Sequence, residues 1–146
     1  MRREARRRSR RAALFVPLLL VGLLRSAAAS DGGAVAEDLP SDYARRTSPV
    51  AGDASAVARG RGLFVENCAT CHGEGADGRG PAAVGLKPPP ANLSGGPIVS
   101  SHSDAYLFYR VTTGKRGSAM PSFQGALSEE ERWTIVAYLR SLAGGR

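Results

Sequence analysis

Two cysteines and a histidine stand within five residues of this chain. The run is Cys68-Ala69-Thr70-Cys71-His72, and Cys68 and Cys71 are the only cysteines among the 146 residues. Two thiols separated by two residues on a short turn can each add to one of the two vinyl groups of a haem, and the imidazole that follows can bind the iron. The run therefore indicates one covalently bound haem c, attached through Cys68 and Cys71 and ligated by His72.

Two other chemistries use a C-x-x-C pair. A structural zinc site needs a second pair of cysteines or histidines, and the sequence has no further cysteine. A thioredoxin-like redox pair follows a strand in a βαβ unit, and no such unit is indicated around residue 68. Haem attachment is the interpretation that fits the surroundings of the motif.

The sixth ligand of such an iron has two candidates. Met120 is the only methionine apart from Met1, and it lies in a polar loop with a proline after it. A thioether is a soft donor suited to haem iron, and Met/His ligation raises the reduction potential. We predict Met120 as the sixth ligand, with ordinary packing of this side chain as the alternative. His102 is the rival ligand; it lies among serines before a helix, where a solvated or capping histidine is more usual.

Three helices are predicted to position these side chains. The first covers about residues 53–67 and carries one stripe into the cysteine motif: Val57, Gly60, Phe64 and Cys68. A glycine inside a helix costs about 1 kcal/mol relative to alanine, so Gly60 predicts a close helix crossing. The second covers residues 104–113, with Ser103 as its cap and Gly114 at its end.

The third predicted helix starts at a capping box and is apolar over a broad arc. Ser128 and Glu131 form the S-x-x-E box, and the helix runs to about Leu142. Such a broad apolar arc predicts burial on more than one side. We see no credible strand pair, so the fold class is all-α. Residues 92–101 are expected to form a loop, and the glycine-rich loop after His72 suits a backbone that bends around a flat cofactor.

The chain begins with the features of an exported protein. A basic start, an apolar core of about a dozen residues and the small residues 27–29 are typical of a secretory signal peptide over residues 1–29. Residues 30–52 have the composition of a flexible or loosely draped leader, which leaves 53–146 as the compact domain. We therefore predict a periplasmic location, with an uncleaved anchor at the outer face of the inner membrane as the alternative.

Charge excludes one class of partner. The chain has 20 Lys and Arg against 13 Asp and Glu, but residues 1–29 hold eight of these basic residues and one of the acidic ones. The remainder has 12 of each and a formal charge near zero. Nucleic-acid binding needs a basic face on the folded domain, so it is not expected here.

Over about residues 55–143 the chain resembles the class I cytochromes c, and among them the small bacterial mono-haem cytochromes of the periplasm. The resemblance rests on the cysteine motif, the Gly80-Pro81 pair, the run Met120-Pro121-Ser122-Phe123 and the closing helix. It implies the class I cytochrome c fold, with about three main helices around one haem. It also implies that His72 is the proximal ligand, that Met120 is the distal ligand and that the Pro81 carbonyl accepts the Nδ1–H of His72.

The resemblance implies an electron carrier rather than an enzyme. Such a domain cycles between Fe(III) and Fe(II) in a respiratory or dehydrogenase chain. Its partners would be a donor dehydrogenase or quinol-oxidising complex and an acceptor oxidase or reductase. Membrane contact would come only through a partner complex or an uncleaved anchor. The alternative is a catalytic haem subunit, peroxidase-like or sulfur-oxidising, with a displaceable sixth ligand.

Overall fold

The computed structural model describes residues 37–144, so the predicted signal peptide and residues 30–36 lie outside the described part of the chain. Over this range the chain forms α1 Ser41–Ala44, α2 Ala54–Asn67, α3 Ala69–His72, α4 Pro97–Ser101, α5 Asp104–Thr113 and α6 Glu129–Gly144. A 3₁₀ turn, Pro81–Ala83, lies between α3 and α4. Residues 37–144 contain no strand, which confirms the all-α prediction.

Local sequence signals explain where the long helices begin. The side chain of Asp53 accepts a hydrogen bond from the Ser55 N–H at 2.7 Å and caps α2, and Ser103 caps α5 in the same way. At the start of α6, Ser128 and Glu131 each bind the backbone N–H of the other, as the predicted capping box requires. The three predicted helices are thus confirmed.

The crossing of α2 and α6 is the most extensive helix contact of the domain. At the crossing, a Cβ on Gly60 would lie 2.8 Å from the carbonyl carbon of Thr134, so only glycine lets the two backbones approach this closely. One turn along α2, the Phe64 ring packs against the Tyr138 ring at 5.3 Å between centroids. The predicted role of Gly60 in a close helix crossing is confirmed.

Helix α6 forms the centre of the core. Every residue from Arg132 to Leu139 is buried, which confirms that this helix is covered on more than one side. Helix α5 covers another face of α6, and its Phe108 ring stacks on the Trp133 ring at 4.0 Å. The core therefore lies between α2 and α5, with α6 shared by both.

Residues 37–50, which we call the N-terminal strap, run along α5. The Glu37 carboxylate accepts hydrogen bonds from Ser103 at the start of α5. The Tyr43 ring lies 4.9 Å from the Tyr109 ring and 6.2 Å from the Phe108 ring. These contacts attach part of the predicted leader to the helical core.

A short helix stands where the sequence predicted only a loop. Pro97 begins α4, and its fixed φ suits the first position of a helix. The guanidinium of Arg140 donates to the carbonyls of Val99 and His102 and pairs with Asp104 at 2.5 Å. Arg140 thus joins α4 to the start of α5 and to α6, a link that spans about 40 residues of sequence.

Candidate functional site

The cysteine motif forms a single helical turn at the end of α2. Cys68 is the C-terminal cap of α2, and its φ of −121° breaks the helix before α3 begins. The N–H groups of Cys71 and His72 both donate to the Cys68 carbonyl, at 3.1 and 2.8 Å. The two cysteines are free thiols, and both are half-buried. The predicted attachment residues are therefore brought together on one rigid turn.

Burial controls the protonation of the first thiol. It raises the pKa of Cys68 to about 11, and the neighbouring Cys71 adds a smaller effect in the same direction. The Cys68 side chain is therefore a neutral thiol at neutral pH. A thiol that stays protonated in an apolar surrounding is a weak metal ligand, because the thiolate is the form that binds metals.

The backbone fixes the orientation of the His72 imidazole. Its Nδ1 lies 3.0 Å from the carbonyl oxygen of Ala91. A carbonyl oxygen can only accept, so Nδ1 carries the proton and donates, which leaves the lone pair of the neutral ring on Nε2. An imidazole held in this tautomer can bind a metal through Nε2.

The prediction that Pro81 accepts this hydrogen bond is wrong, because the acceptor is Ala91. Pro81 begins the exposed 3₁₀ turn, whereas the chain returns to His72 ten residues later. The return is held where Leu93 and Ser94 donate their N–H groups to the Ala76 carbonyl, at 2.7 and 3.0 Å. A backbone acceptor has no residue type of its own, so no sequence pattern identified Ala91.

Glycines allow the loop after His72 to close tightly. The Gly78 N–H donates to the His72 carbonyl at 2.8 Å, and the Gly80 N–H donates to the Cys71 carbonyl at 3.0 Å. A Cβ on Gly80 would lie 2.6 Å from the Ala69 carbonyl oxygen, and one on Gly78 equally close to the Pro90 carbonyl oxygen. This loop therefore clamps the motif turn through contacts that no larger residue permits.

Met120 lies half-buried in the connection between α5 and α6. Its N–H donates to the Ser118 hydroxyl oxygen at 3.2 Å, and its carbonyl accepts the Lys115 N–H at 3.2 Å. Gly114, which ends α5, packs directly against the backbone of Met120 and Pro121. The backbone around Met120 is thus fixed, and the role of its thioether as a ligand remains a proposal.

His102, the rival ligand, is engaged in the packing of α4 and α5. Its Nδ1 lies 3.0 Å from the Ile98 carbonyl, and its ring stacks on the Tyr106 ring at 4.0 Å. His102 is also the C-terminal cap of α4, and its own carbonyl accepts from Arg140. These contacts account for the residue without an iron.

The donor set fits haem c. Two reduced thiols on one turn match its two vinyl groups, and a histidine with Nε2 left free matches its iron. Residues 55–139 match the family described as "Cytochrome C oxidase, cbb3-type, subunit III". The chain belongs to this family. Members of the cbb3-type subunit III family and their structural neighbours carry covalently bound haem c.

Two curated members show how far the similarity extends. The chain is 36% identical over 106 residues to "Cbb3-type cytochrome c oxidase subunit FixP" of Azorhizobium caulinodans, covering 72% of this chain and 34% of that protein. It is also 36% identical over 114 residues to the CcoP subunit of Azospirillum sp., covering 75% and 36%. The chain thus spans about a third of the length of these relatives.

Solved structures share the fold. Cytochrome CL from Methylophaga aminisulfidivorans superposes with a TM-score of 0.51 at 27% identity, covering 64% of this chain and 59% of that one. A chain of the Kuenenia stuttgartiensis reducing HAO-like protein complex gives the same TM-score at 30% identity, covering 61% and 44%. The predicted class I cytochrome c fold is confirmed. Within residues 37–144, no helix has both the length and the hydropathy needed to cross a membrane.

Proposed function

We propose that this chain transfers single electrons as a mono-haem c-type cytochrome. The observation that carries the proposal is the imidazole of His72, whose Nδ1–H the Ala91 carbonyl holds in place beside two free thiols. The chemistry supplied by haem c is a one-electron Fe(III)/Fe(II) couple.

Each residue of the site has one task in this proposal. Cys68 and Cys71 form the two thioether bonds, and His72 provides the proximal nitrogen. Met120 provides the distal thioether from the loop that Gly114 and Ser118 fix. With His72 and Met120 both bound to it, a haem iron would have no position left for a substrate. The hydrogen bond to His72 and the fixed backbone around Met120 would keep these two ligands in place.

The partners follow from the relatives. FixP and CcoP are subunits of cbb3-type cytochrome c oxidases, so we propose a terminal oxidase of this class as the electron acceptor. A dehydrogenase or quinol-oxidising complex would be the donor. The basic and apolar start of the chain supports a periplasmic location, with the domain either released or held at the outer face of the inner membrane.

A catalytic role has less support. It would need a displaceable sixth ligand and an acid or base above the iron. The sequence has one histidine besides His72. That residue, His102, is hydrogen-bonded through Nδ1 to the Ile98 carbonyl, and its ring stacks on Tyr106. The family points to an oxidase subunit that delivers electrons rather than to a separate enzyme.

Haem attachment is the first test. The exported protein should carry one haem per chain that survives acid-acetone extraction and denaturing electrophoresis. The Cys68→Ala variant should give far less holoprotein, because one of the two thioether bonds is lost. An extractable haem, or two haems per chain, would contradict the proposal.

The sixth ligand is tested by Met120→Ala. We expect the haem to remain attached while the potential falls and the reduced protein gains the ability to bind carbon monoxide, because no other thioether exists in residues 30–146. The weak far-red band of Met–Fe(III) bonding should disappear. His102→Ala is the matched control and should keep both the band and the potential. The opposite pattern would show that His102 is the ligand.

A further inference from the structure

One large apolar side chain is almost fully exposed. Val84 is 89% exposed, whereas Val65, the other exposed large hydrophobic residue of the described chain, is 38% exposed. Its neighbours extend the apolar surface, since Pro81, Ala82, Pro88 and Pro89 are also exposed. We call residues 81–89 the Val84 loop. A single exposed valine needs no explanation, but a run of exposed apolar residues marks an interaction surface.

The Val84 loop is rigid and lies against the haem-attachment turn. Its 3₁₀ turn packs on α3, and the preceding Gly80 donates its N–H to the Cys71 carbonyl at 3.0 Å. Within the loop, the Ala83 N–H donates to Gly80 and the Leu86 N–H donates to Ala83. The 3₁₀ turn that precedes Val84 is therefore fixed against α3, and Val84 itself is exposed.

The charged residues within residues 78–101 are both basic. Between residues 78 and 101 the only charged side chains are Arg79, just before the Val84 loop, and Lys87, within it, and both are exposed. Asp77 precedes residue 78, and its carboxylate accepts a hydrogen bond from the backbone N–H of Arg79 at 3.0 Å. The next acidic residue towards the N-terminus is Glu74. An apolar centre with charges at its edge is the usual anatomy of a protein interface.

We propose that the Val84 loop is the surface on which the electron-transfer partner docks. The partner is a protein that presents a small apolar patch to Val84 and carboxylates to Arg79 and Lys87. This inference rests on the proposed function. Contact at the Val84 loop brings a partner next to the turn that carries Cys71 and His72, which shortens the path for an electron. The small size of the loop matches the small interfaces of transient electron-transfer complexes.

Oxidation of the ferrous holoprotein by membranes of its own bacterium tests the proposal. The rate is followed in air-saturated buffer by haem absorbance, and cyanide identifies the part that depends on a terminal oxidase. Val84→Ser should slow this oxidation about fivefold, because an apolar contact of one valine is lost from the complex. Val65→Ser is the matched control on α2 and should stay within about twofold of the native rate. Both variants should keep the native potential and the native rate of reduction by ascorbate.

A second pair of variants tests the charges. Lys87→Glu should slow the oxidation most at low ionic strength, and rising salt should reduce the difference. Arg61→Glu changes an exposed cation on α2 and should have little effect.

Three results would contradict the docking proposal and leave the proposed electron transfer intact. The first is equal oxidation of the Val84→Ser and Val65→Ser proteins by membranes that oxidise the native protein. The second is binding to phosphatidylglycerol vesicles that disappears with Val84→Ser, which would make the occupant a lipid surface. The third is a dimer that Val84→Ser dissociates in sedimentation, which would make it a second copy of the chain. A native holoprotein that the membranes do not oxidise with cyanide sensitivity would instead overturn the proposed function.

Discussion

Replacing Gly60 with alanine tests whether the contact of α2 and α6 limits the stability of the domain. An ideal Cβ at this position lies 2.8 Å from the Thr134 carbonyl carbon and 3.0 Å from the Tyr138 Cβ, and the Thr134 carbonyl oxygen is nearer still. Ordinary contacts of a Cβ begin near 3.4 Å, so the helices must separate by at least about half an ångström. The obstacle is largely backbone, which cannot rotate away.

The magnitude follows from two opposing effects. Overpacking of this kind costs about 1–3 kcal/mol, and a backbone obstacle favours the upper end. Alanine is a better helix former than glycine by about 1 kcal/mol, which offsets part of that cost. We therefore expect Gly60→Ala to lower the free energy of unfolding by about 2 kcal/mol. Gly62→Ala is the matched control on the same helix, since its Cβ would meet nothing within 4 Å and the variant should be slightly more stable.

Urea unfolding of the holoproteins, followed by far-UV circular dichroism, measures the difference. With a slope of about 1–2 kcal/mol per molar urea, the midpoints of the two variants should differ by about 2 M. Equal midpoints would refute the reasoning, because they would show that α6 yields at the crossing without cost. An unchanged slope would confirm that the variants differ in stability rather than in the compactness of the unfolded chain.

Two further predictions concern side-chain bonds. Arg140→Met should cost about 2 kcal/mol in thermal unfolding, because its guanidinium bonds a carboxylate and two helix-end carbonyls. Arg59→Met loses an exposed ion pair with Glu130 at 3.8 Å and an exposed hydrogen bond to Ser55, so it should change the stability by only a few tenths of a kcal/mol. Equal losses in the two variants would contradict this. The hydrogen bonds from Ser128, first its N–H and then its hydroxyl, lower the pKa of Glu131. This contribution to stability is present above the unfolded-state pKa of about 4.3 and is lost as the pH falls through the lower folded-state pKa. The urea midpoint of the native protein should therefore fall as the pH is lowered through this range, and the midpoint of Glu131→Gln should fall less.

The long helices could be predicted because their signals are local. Asp53, Ser103 and Ser128 each cap the helix that follows, and the spacing from Gly60 to Phe64 marks the face that meets α6. The attachment turn was equally visible, since its chemistry depends on residue types within five positions. These features need no knowledge of distant parts of the chain.

The remaining features depend on contacts between distant positions. The acceptor for His72 is a backbone carbonyl 19 residues away, and a similar carbonyl is present at every position. Helix α4 has only five residues, too few for an apolar period, and Arg140 supports it from about 40 residues further on. Such contacts depend on the tertiary fold rather than on local sequence. The sequence therefore pointed to the Pro81 carbonyl as the acceptor, whereas the structure has the Ala91 carbonyl.

The N-terminal strap changes where the folding unit begins. The family match covers residues 55–139, but Glu37 binds the start of α5 and Arg46 pairs with Glu129 at the start of α6. A fragment cut at the limits of the match would uncover one edge of Phe108 and remove the last turn of α6. A fusion of this haem domain to another redox protein should therefore have its junction before residue 37, so that the domain keeps the N-terminal strap that covers Phe108.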